Sequence, residues 1–457
     1  MTLSLRRRRI YFAITTAVFL VVTPVLIAYS LGYRLTDGIV TKTGGIFIHA
    51  EPRGVTITID DTISKQTGAL LLAQGKLISG LSPGEHTVRV EKEGYFSWEK
   101  NLVVEEGLVT EARAITLPPR AVHERIVAEN ARDFVFSDSQ ALIAFAFENS
   151  IGILDTTNGE EITITLDPKE RIGTIAFGTG EDYLIVESFL KNITRKRLVN
   201  VVTKAFTDIQ ESETEKFVKV RQYSGAQPQL IALSAQHALL TADINSQQEP
   251  RMTAQNVGAF ELFGDVVVYA TTEPTVFYEK NLITDETTQL TQDPLSGIGV
   301  STTILRSPAG HIAFLNSANE LYLYDTEQKV FERVADHVVA AVFSDDSKKL
   351  LWHNKNEVYV RYLRTILIQP RHTQGDMELL TRFSKPITGI SWFSFDNEHV
   401  LFAAEGQLKF TELDGRDRRN TYDIAETITP LKMRYNSYDD ALYLLDDTTL
   451  KRISLIE

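Results

Sequence analysis

Hydrophobic and polar positions follow three regimes along the chain. From Ile10 to Gly32 no residue is charged, and the apolar character is continuous over 23 positions. A helix of that length measures roughly 34 Å, enough to cross a bilayer core with some tilt. Pro24 does not forbid it, because neighbouring groups in a membrane helix satisfy the freed carbonyl. From Ile46 the pattern switches to period two. Ile46, Ile48 and Ala50 share one side of a strand, and Val55, Ile57 and Ile59 repeat the alternation after the turn Glu51-Pro52-Arg53-Gly54. Further strands are predicted at 76–79, 85–91, 97–104 and 108–117, divided by turns that each carry a glycine (Gly84, Gly94, Gly107). Short strands without helical period predict a small antiparallel sandwich.

The third regime, from Ala121 onward, repeats. Phe136, Phe177, Tyr223, Phe263, Arg306, Phe343, Phe393 and Tyr435 occupy equivalent places, spaced by 41, 46, 40, 43, 37, 50 and 42 residues. A period in the forties with about four strands per unit is the signature of a β-propeller. Each unit opens with a strand ending in a Ser/Asp/Gly turn, continues with an apolar strand such as 141–147 or 400–404, and ends in a more polar one. Blades pack face to face, so their middle strands are apolar on both sides. Eight anchors predict eight blades, or seven if one weak repeat is a loop. Only two strands follow Tyr435, whereas a strand at 122–126 precedes the first anchor. Ring closure is therefore predicted through this early strand, which removes exposed edges. The fold class is all-β behind one transmembrane helix.

Four arginines, Arg6 to Arg9, precede the apolar run. Basic residues stay on the cytoplasmic side, so the N-terminus is expected inside and the later domains outside. The rival is a signal peptide cleaved after Ser30, with Ala28 and Ser30 as the small residues. The apolar run exceeds the usual core of about 7–15 residues, which favours an uncleaved anchor. Expected boundaries are a basic tail at 1–9, an anchor at 10–32, a linker at 33–44, a sandwich at 45–118 and a propeller at 121–457. The net charge of −13 is uneven, since residues 1–43 hold +5 and the rest −18. An acidic exterior argues against nucleic acid as a partner. The absence of cysteine rules out disulfides, thiolate metal sites, cysteine nucleophiles and a thioether lipid.

The motifs Gly45-Ile46-Phe47-Ile48, Val55-Thr56-Ile57-Thr58-Ile59-Asp60, Leu81-Ser82-Pro83-Gly84-Glu85-His86 and Glu93-Gly94-Tyr95 resemble a PEGA domain, from Gly45 to about Leu117. Two places depart from that pattern. Asp61 follows Asp60 where an Asp-Gly turn is usual, and Thr67-Gly68-Ala69-Leu70 replaces Gly-x-Thr-Pro. The resemblance implies a location in a cell envelope and no catalytic activity. Likewise Phe343-Ser344-Asp345-Asp346-Ser347-Lys348-Lys349 resembles the Phe-Ser-Pro-Asp-Gly-Lys repeat of TolB-like and WD-type propellers.

No esterase elbow, zinc-protease motif or phosphate loop is present. No two of the nine histidines have a metal-ligand spacing, and no metal, cofactor or catalytic residue is expected. Asp336-His337 and Glu398-His399 are adjacent pairs that point to opposite faces of a strand. Ser344–Trp352 is similar to a sialidase Asp-box, but Ser347 stands where that turn needs glycine. Binding candidates are Arg371, His372 and Asp376 in the insertion within the longest repeat, where loops often carry recognition. A tolerated surface loop is the alternative. Tyr95, with Phe96 and Trp98, is a candidate carbohydrate platform; the alternative puts Phe96 and Trp98 in the core and Tyr95 on the opposite face. Lys191, Arg195, Lys196 and Arg197 read as the polar face of an outer hairpin. The expected role is a membrane-anchored binding or scaffolding protein of the envelope, the sandwich serving as stalk and the propeller as head. Its partner would be an unknown envelope protein or polysaccharide. A propeller-type glycan hydrolase or lyase is the second reading, and an assembly factor for exported proteins the third.

Overall fold

A computed structural model describes residues 5–36, 39–61, 63–66, 75–191, 193–211, 216–223, 228–244, 249–295 and 302–456. The apolar run forms α1 (Leu5–Ser30), whose window Arg8–Ser30 has a mean hydropathy of 2.3 and no buried residue. Residues 33–44, expected to be a linker, contain the hairpin of β1 (Tyr33–Thr36) and β2 (Ile39–Lys42). The chain divides into two compact units. The first comprises Met1–Ala121 with two short segments from later in the chain, Ile366–His372 and Asp414–Asn420; the second holds the remainder.

In the first unit, β3 (Gly44–Glu51), β4 (Thr56–Ile59), β5 (Ile63–Gln66), β6 (Lys76–Leu81), β7 (Gly84–Glu91), β8 (Trp98–Val104) and β9 (Val109–Thr116) form two sheets. Their orders are β6-β3-β9 and β5-β4-β7-β8. The alternating residues do what the pattern requires: Ile46, Ile48, Ile57, Ile59, Val88, Val90, Trp98 and Leu102 close a common core. One pairing departs from the antiparallel expectation, because β3 and β9 run parallel. The chain leaves β3 for the other sheet and returns, so its first and last strands can share a direction. Gly44 lets the turn between β8 and β9 approach β3 closely, since a Cβ there would lie 2.4 Å from the Glu105 carbonyl.

The Asp60-Asp61 departure preserves the turn. Both residues adopt left-handed φ, 51° and 55°, where glycine would be relaxed. Asp60 compensates by accepting the Thr87 amide (3.0 Å) and pairing with His86 Nδ1 (2.6 Å), whose Nε2 meets the Ser82 carbonyl. Thr67–Leu70 lies outside the described residues.

The second unit contains eight four-stranded antiparallel sheets among the described residues. Blades 1 to 7 span 133–165, 170–208, 217–254, 257–289, 303–335, 340–382 and 387–426. Blade 8 takes three strands from 430–454 and its fourth from β10 (His123–Glu129), which pairs with Thr449–Ser454. The predicted closure is therefore present. Middle strands such as Ala441–Asp446 and His399–Ala404 are buried at every position, whereas the outer strand Glu161–Thr165 is mostly open.

Successive blades share apolar seams. Phe134, Phe136 and Ile143 of blade 1 meet Tyr443 and Leu450 of blade 8. Ile151 and Ile153 of blade 1 meet Leu184 and Val186 of blade 2, and like clusters join blades 2 to 6. Trp392 Nε1 of blade 7 donates to the Val342 carbonyl of blade 6 at 3.1 Å. The Tyr435 amide of blade 8 donates to Ser391 Oγ of blade 7 at 2.9 Å.

Candidate functional site

The residues singled out by sequence do not converge. Arg371 and His372 end the Ile366–His372 segment of the first unit; Arg371 is exposed, and His372 is half-buried and bridged to Ile366. Within that unit Gln369 Oε1 accepts the Glu111 amide (3.1 Å) and faces Arg416 Nη1 (3.3 Å). Asp376 belongs to the second unit, where its carboxylate accepts the Thr373 amide and hydroxyl at 2.7 and 2.6 Å and closes the loop on itself.

Tyr95 is 8% exposed and lies in the core with Trp98, while Phe96 is half-buried under Arg120. Trp98 fills the core as the alternative reading had it, whereas Phe96 does not and Tyr95 shares the core instead of the opposite face. Residues 95–97 precede the strand that starts at Trp98, so strand alternation does not govern them, and Tyr95 presents no ring to a glycan. The basic cluster is also split. Lys196 and Arg197 are buried against Glu211 and Glu170, and only Lys191 and Arg195 remain exposed.

Neither adjacent acid–histidine pair lies within a strand: Asp336 and His337 sit in the bend after Val330–Ala335, with His337 at φ 56°, and Glu398 precedes the strand His399–Ala404. Glu398 pairs with Lys349 of blade 6 at 2.7 Å, whereas His399 Nδ1 meets Asp396 Oδ2 at 2.7 Å. His399 is 2% exposed and stacked on Phe410, so this acid–base pair faces the blade interior. Burial opposes charge on His399, but Asp396, Glu412 and Glu398 outweigh it and raise its pKa above the ordinary value. The Asp-box look-alike is a blade turn. Ser347 takes φ 57°, Ser344 Oγ donates to Asp346 (2.6 Å), and Ser347 Oγ accepts the Ala309 amide of blade 5 (3.0 Å).

Two arrangements in the second unit have the makings of a site. One is a cavity of about 240 Å³ beside blades 3 and 4, lined among others by Tyr223, Asp243, Glu249, Arg251, Lys280 and Asp285. Asp285 accepts from Lys280 (2.6 Å) and Arg251 (2.9 Å), and these two bonds hold its carboxyl below the ordinary range. Burial pushes the Tyr223 hydroxyl up, and Asp265 adds to this while Arg251 opposes it. Its described lining contains no histidine or serine, so it offers ion pairing and hydrogen bonding to a small polar group.

The other arrangement lies where the first turns of the blades approach one another. Ser437 of blade 8 donates to Gln140 of blade 1 (2.8 Å), and Ser139 of blade 1 donates to Glu181 of blade 2 (2.8 Å). The Asp345 amide of blade 6 likewise donates to Asn397 Oδ1 of blade 7 at 3.1 Å. Arg434 of blade 8 sits near Asp345 of blade 6 and Asp138 of blade 1. All three side chains reach solvent, but crowding by the surrounding turns lowers the Arg434 pKa against the pull of both aspartates, and crowding together with Glu181 raises that of Asp138. Sequence reading missed these residues, although a signal exists. Asp138 and Asp345 both follow their anchors by two positions, and Arg434 precedes its own by one.

Comparison with known proteins bears on parts of the chain. The PEGA domain family matches residues 43–120. No curated protein matches the chain. Among solved structures, the C-terminal WD40 domain of Sif2 is 11% identical, with 74% of this chain and 99% of that chain covered and a TM-score of 0.49. The eukaryotic initiation factor is 13% identical, with 72% and 84% covered and a TM-score of 0.48. The β-propeller domain of Myceliophteria thermophila Cps50 (Swd1) is 11% identical, with 73% and 100% covered and a TM-score of 0.43. Likenesses of that size leave the propeller to rest on its own sheet order and closure. The chain thus carries an N-terminal apolar helix, a PEGA domain at 43–120 and a β-propeller.

Proposed function

We propose that this is a single-pass membrane protein that holds its PEGA domain and propeller outside the cytoplasmic membrane and binds an envelope partner there without chemistry. The observation that carries the reading is the helix. Its 23-residue window Arg8–Ser30 buries nothing against the protein, and water is a poor solvent for so much apolar surface. The arginines ahead of it favour an inside N-terminus. For the binding role, support comes from turns of several blades meeting around Arg434, Asp138 and Asp345. Insertion-free turns backed by a closed ring form a stiff surface on which polar groups are held in place. Its carboxylates suit a cationic or hydrogen-bonding partner better than nucleic acid or an anionic polymer.

The test uses the full chain. A single cysteine at the exposed turn residue Asn158 should react with a membrane-impermeant maleimide on intact cells, and one placed at Thr2 should not. Labelling at Thr2 alone would reverse the orientation and defeat the proposal. Detergent-purified protein should then retain an envelope protein or polysaccharide saturably, with binding weakened at least tenfold by R434A/D345A. Release of a cleaved glycan would defeat the non-catalytic part.

A further inference from the structure

The hairpin that follows the helix has an open apolar face. Leu35 and Val40 are cross-strand partners, 74% and 64% exposed, and Tyr33 shares their side of the ribbon. Lys42, opposite Tyr33, lies along the same side with its stem over Gly107. The helix end runs into this hairpin without a free tether. The Gly32 carbonyl accepts both the amide (2.9 Å) and the hydroxyl (2.7 Å) of Thr43, which is 8% exposed. Thr43 in turn accepts the Gly107 amide, and the Gly45 amide donates to the Leu108 carbonyl. Leu108 itself is 56% exposed. Arg34 caps the junction by donating to the Tyr29 carbonyl (2.6 Å) and lying 3.5 Å from the centre of the Tyr29 ring.

We infer that the β1–β2 hairpin is an interfacial membrane element: Tyr33, Leu35 and Val40 lie in the headgroup layer of the bilayer that α1 crosses, and seat the PEGA domain directly on it. The occupant is lipid because the face continues from α1 with only Leu31 and Gly32 between. Tyr29, Tyr33, Arg34 and Lys42 surround it with the aromatic and basic residues that settle at membrane interfaces. In water the Leu35–Val40 pair would leave apolar surface uncovered on a two-stranded ribbon, which is marginal alone. Asp37 is the one carboxylate in the sequence of residues 33–42. The inference rests on α1 being retained as an anchor.

The chain has no cysteine, so single probes can be placed freely. Full-length L35C, V40C, V22C and R53C, each labelled with an environment-sensitive fluorophore, are reconstituted into vesicles of phosphatidylcholine and phosphatidylglycerol. Phosphatidylcholine carrying a shallow nitroxide supplies the quencher. Arg53 is exposed and lies beyond the far end of β3, roughly 26 Å from its start at strand rise. The expected result is quenching by roughly half or more at positions 35 and 40 and little at 53, since interfacial groups sit within reach of a shallow label. A deep nitroxide should quench position 22. Quenching at 22 without quenching at 35 and 40 overturns the inference and leaves the anchor standing. Equal quenching at 53 and 35 also overturns it, because the hairpin is then not the contact. Absence of quenching at 22 overturns the anchor reading and this inference together.

Discussion

Replacing Lys100 by Met should open the first unit locally. Lys100 is fully buried, and its ammonium donates to the carbonyls of Asp414, Arg416 and Arg418 at 2.5–3.0 Å, with the Asp414 carboxylate 3.7 Å away. Methionine keeps the aliphatic stem and removes the charge, so packing is largely preserved and three carbonyls lose their donor. Summing three charge-assisted bonds would overstate the loss, because the native ammonium also gave up its water. Removing one partner from a buried ionic site costs about 3–5 kcal/mol. Asp414 retains Arg416, which donates through Nε (3.0 Å) and Nη2 (2.6 Å), so the lower end of that range applies. Asp414 shows the same balance in its own titration. Burial raises its pKa, but the Arg416 bond and the Lys100 charge outweigh this and leave it lowered.

A loss of about 3 kcal/mol corresponds to an opening equilibrium on the order of 100-fold larger. The Asn101 amide is the reporter, since it donates to Asp417 Oδ2 at 2.9 Å and is freed when the 414–420 segment detaches. Hydrogen exchange measured on the full chain should speed by about that factor at Asn101 and across 414–420. Amides in blade 2 should not change. An acceleration below about threefold at Asn101 would refute the reasoning, because water or a relaxed backbone must then satisfy the carbonyls as well as the ammonium does.

Three further outcomes follow from the described contacts. Because Asp396 and its acidic neighbours raise the His399 pKa against burial, the stabilisation is complete below the unfolded value of 6.5 and fades as pH rises through the folded value. The urea midpoint of wild type minus that of H399Q should therefore be greatest near about pH 6 and shrink toward about pH 9, and a rising difference would contradict the sign. Asp61 holds φ 55° without a described bond that requires its side chain, so D61G should raise stability by about 1 kcal/mol in thermal melts. An unchanged or lower midpoint would count against left-handed strain at that turn. L450A removes a fully buried side chain from the strand that pairs with β10 and should cost about 2–5 kcal/mol, with the whole propeller unfolding earlier. Loss confined to blade 8 amides in hydrogen exchange would mean that closure does not couple the ring.

What sequence could disclose depended on whether the cause was local. The Ile10–Gly32 run and the alternations at Ile46, Ile57 and Val88 report the environment of their own strand or helix, and each proved to be where the pattern put it. The blade anchors gained from repetition, since eight copies of one pattern make even the short final unit readable. β10 could be assigned to blade 8 because a missing strand and a spare one stood at opposite ends of the array. Pairings between distant strands carry no such mark. Nothing in Gly44–Glu51 or Val109–Thr116 says that they lie side by side in parallel, and nothing in Arg434 points to Asp345 or Asp138.

The insertion in the longest repeat shows the limit most plainly. Its extra length is a real signal, and loops of that kind often serve recognition. Length, however, says that a segment has left the blade, and not what it reaches. Here Gln369 accepts the amide of Glu111, and Arg416, from a second excursion, donates to the Glu111 carbonyl at 2.8 Å. The segment that sequence would offer to a foreign partner is thus already engaged with β9. A surface with its hydrogen bonds met inside the chain has less to offer a ligand than one whose charged groups stay open to solvent, as Arg434, Asp138 and Asp345 do. That favours the inner turns around Arg434 over Arg371 and His372 as the place to look for a partner.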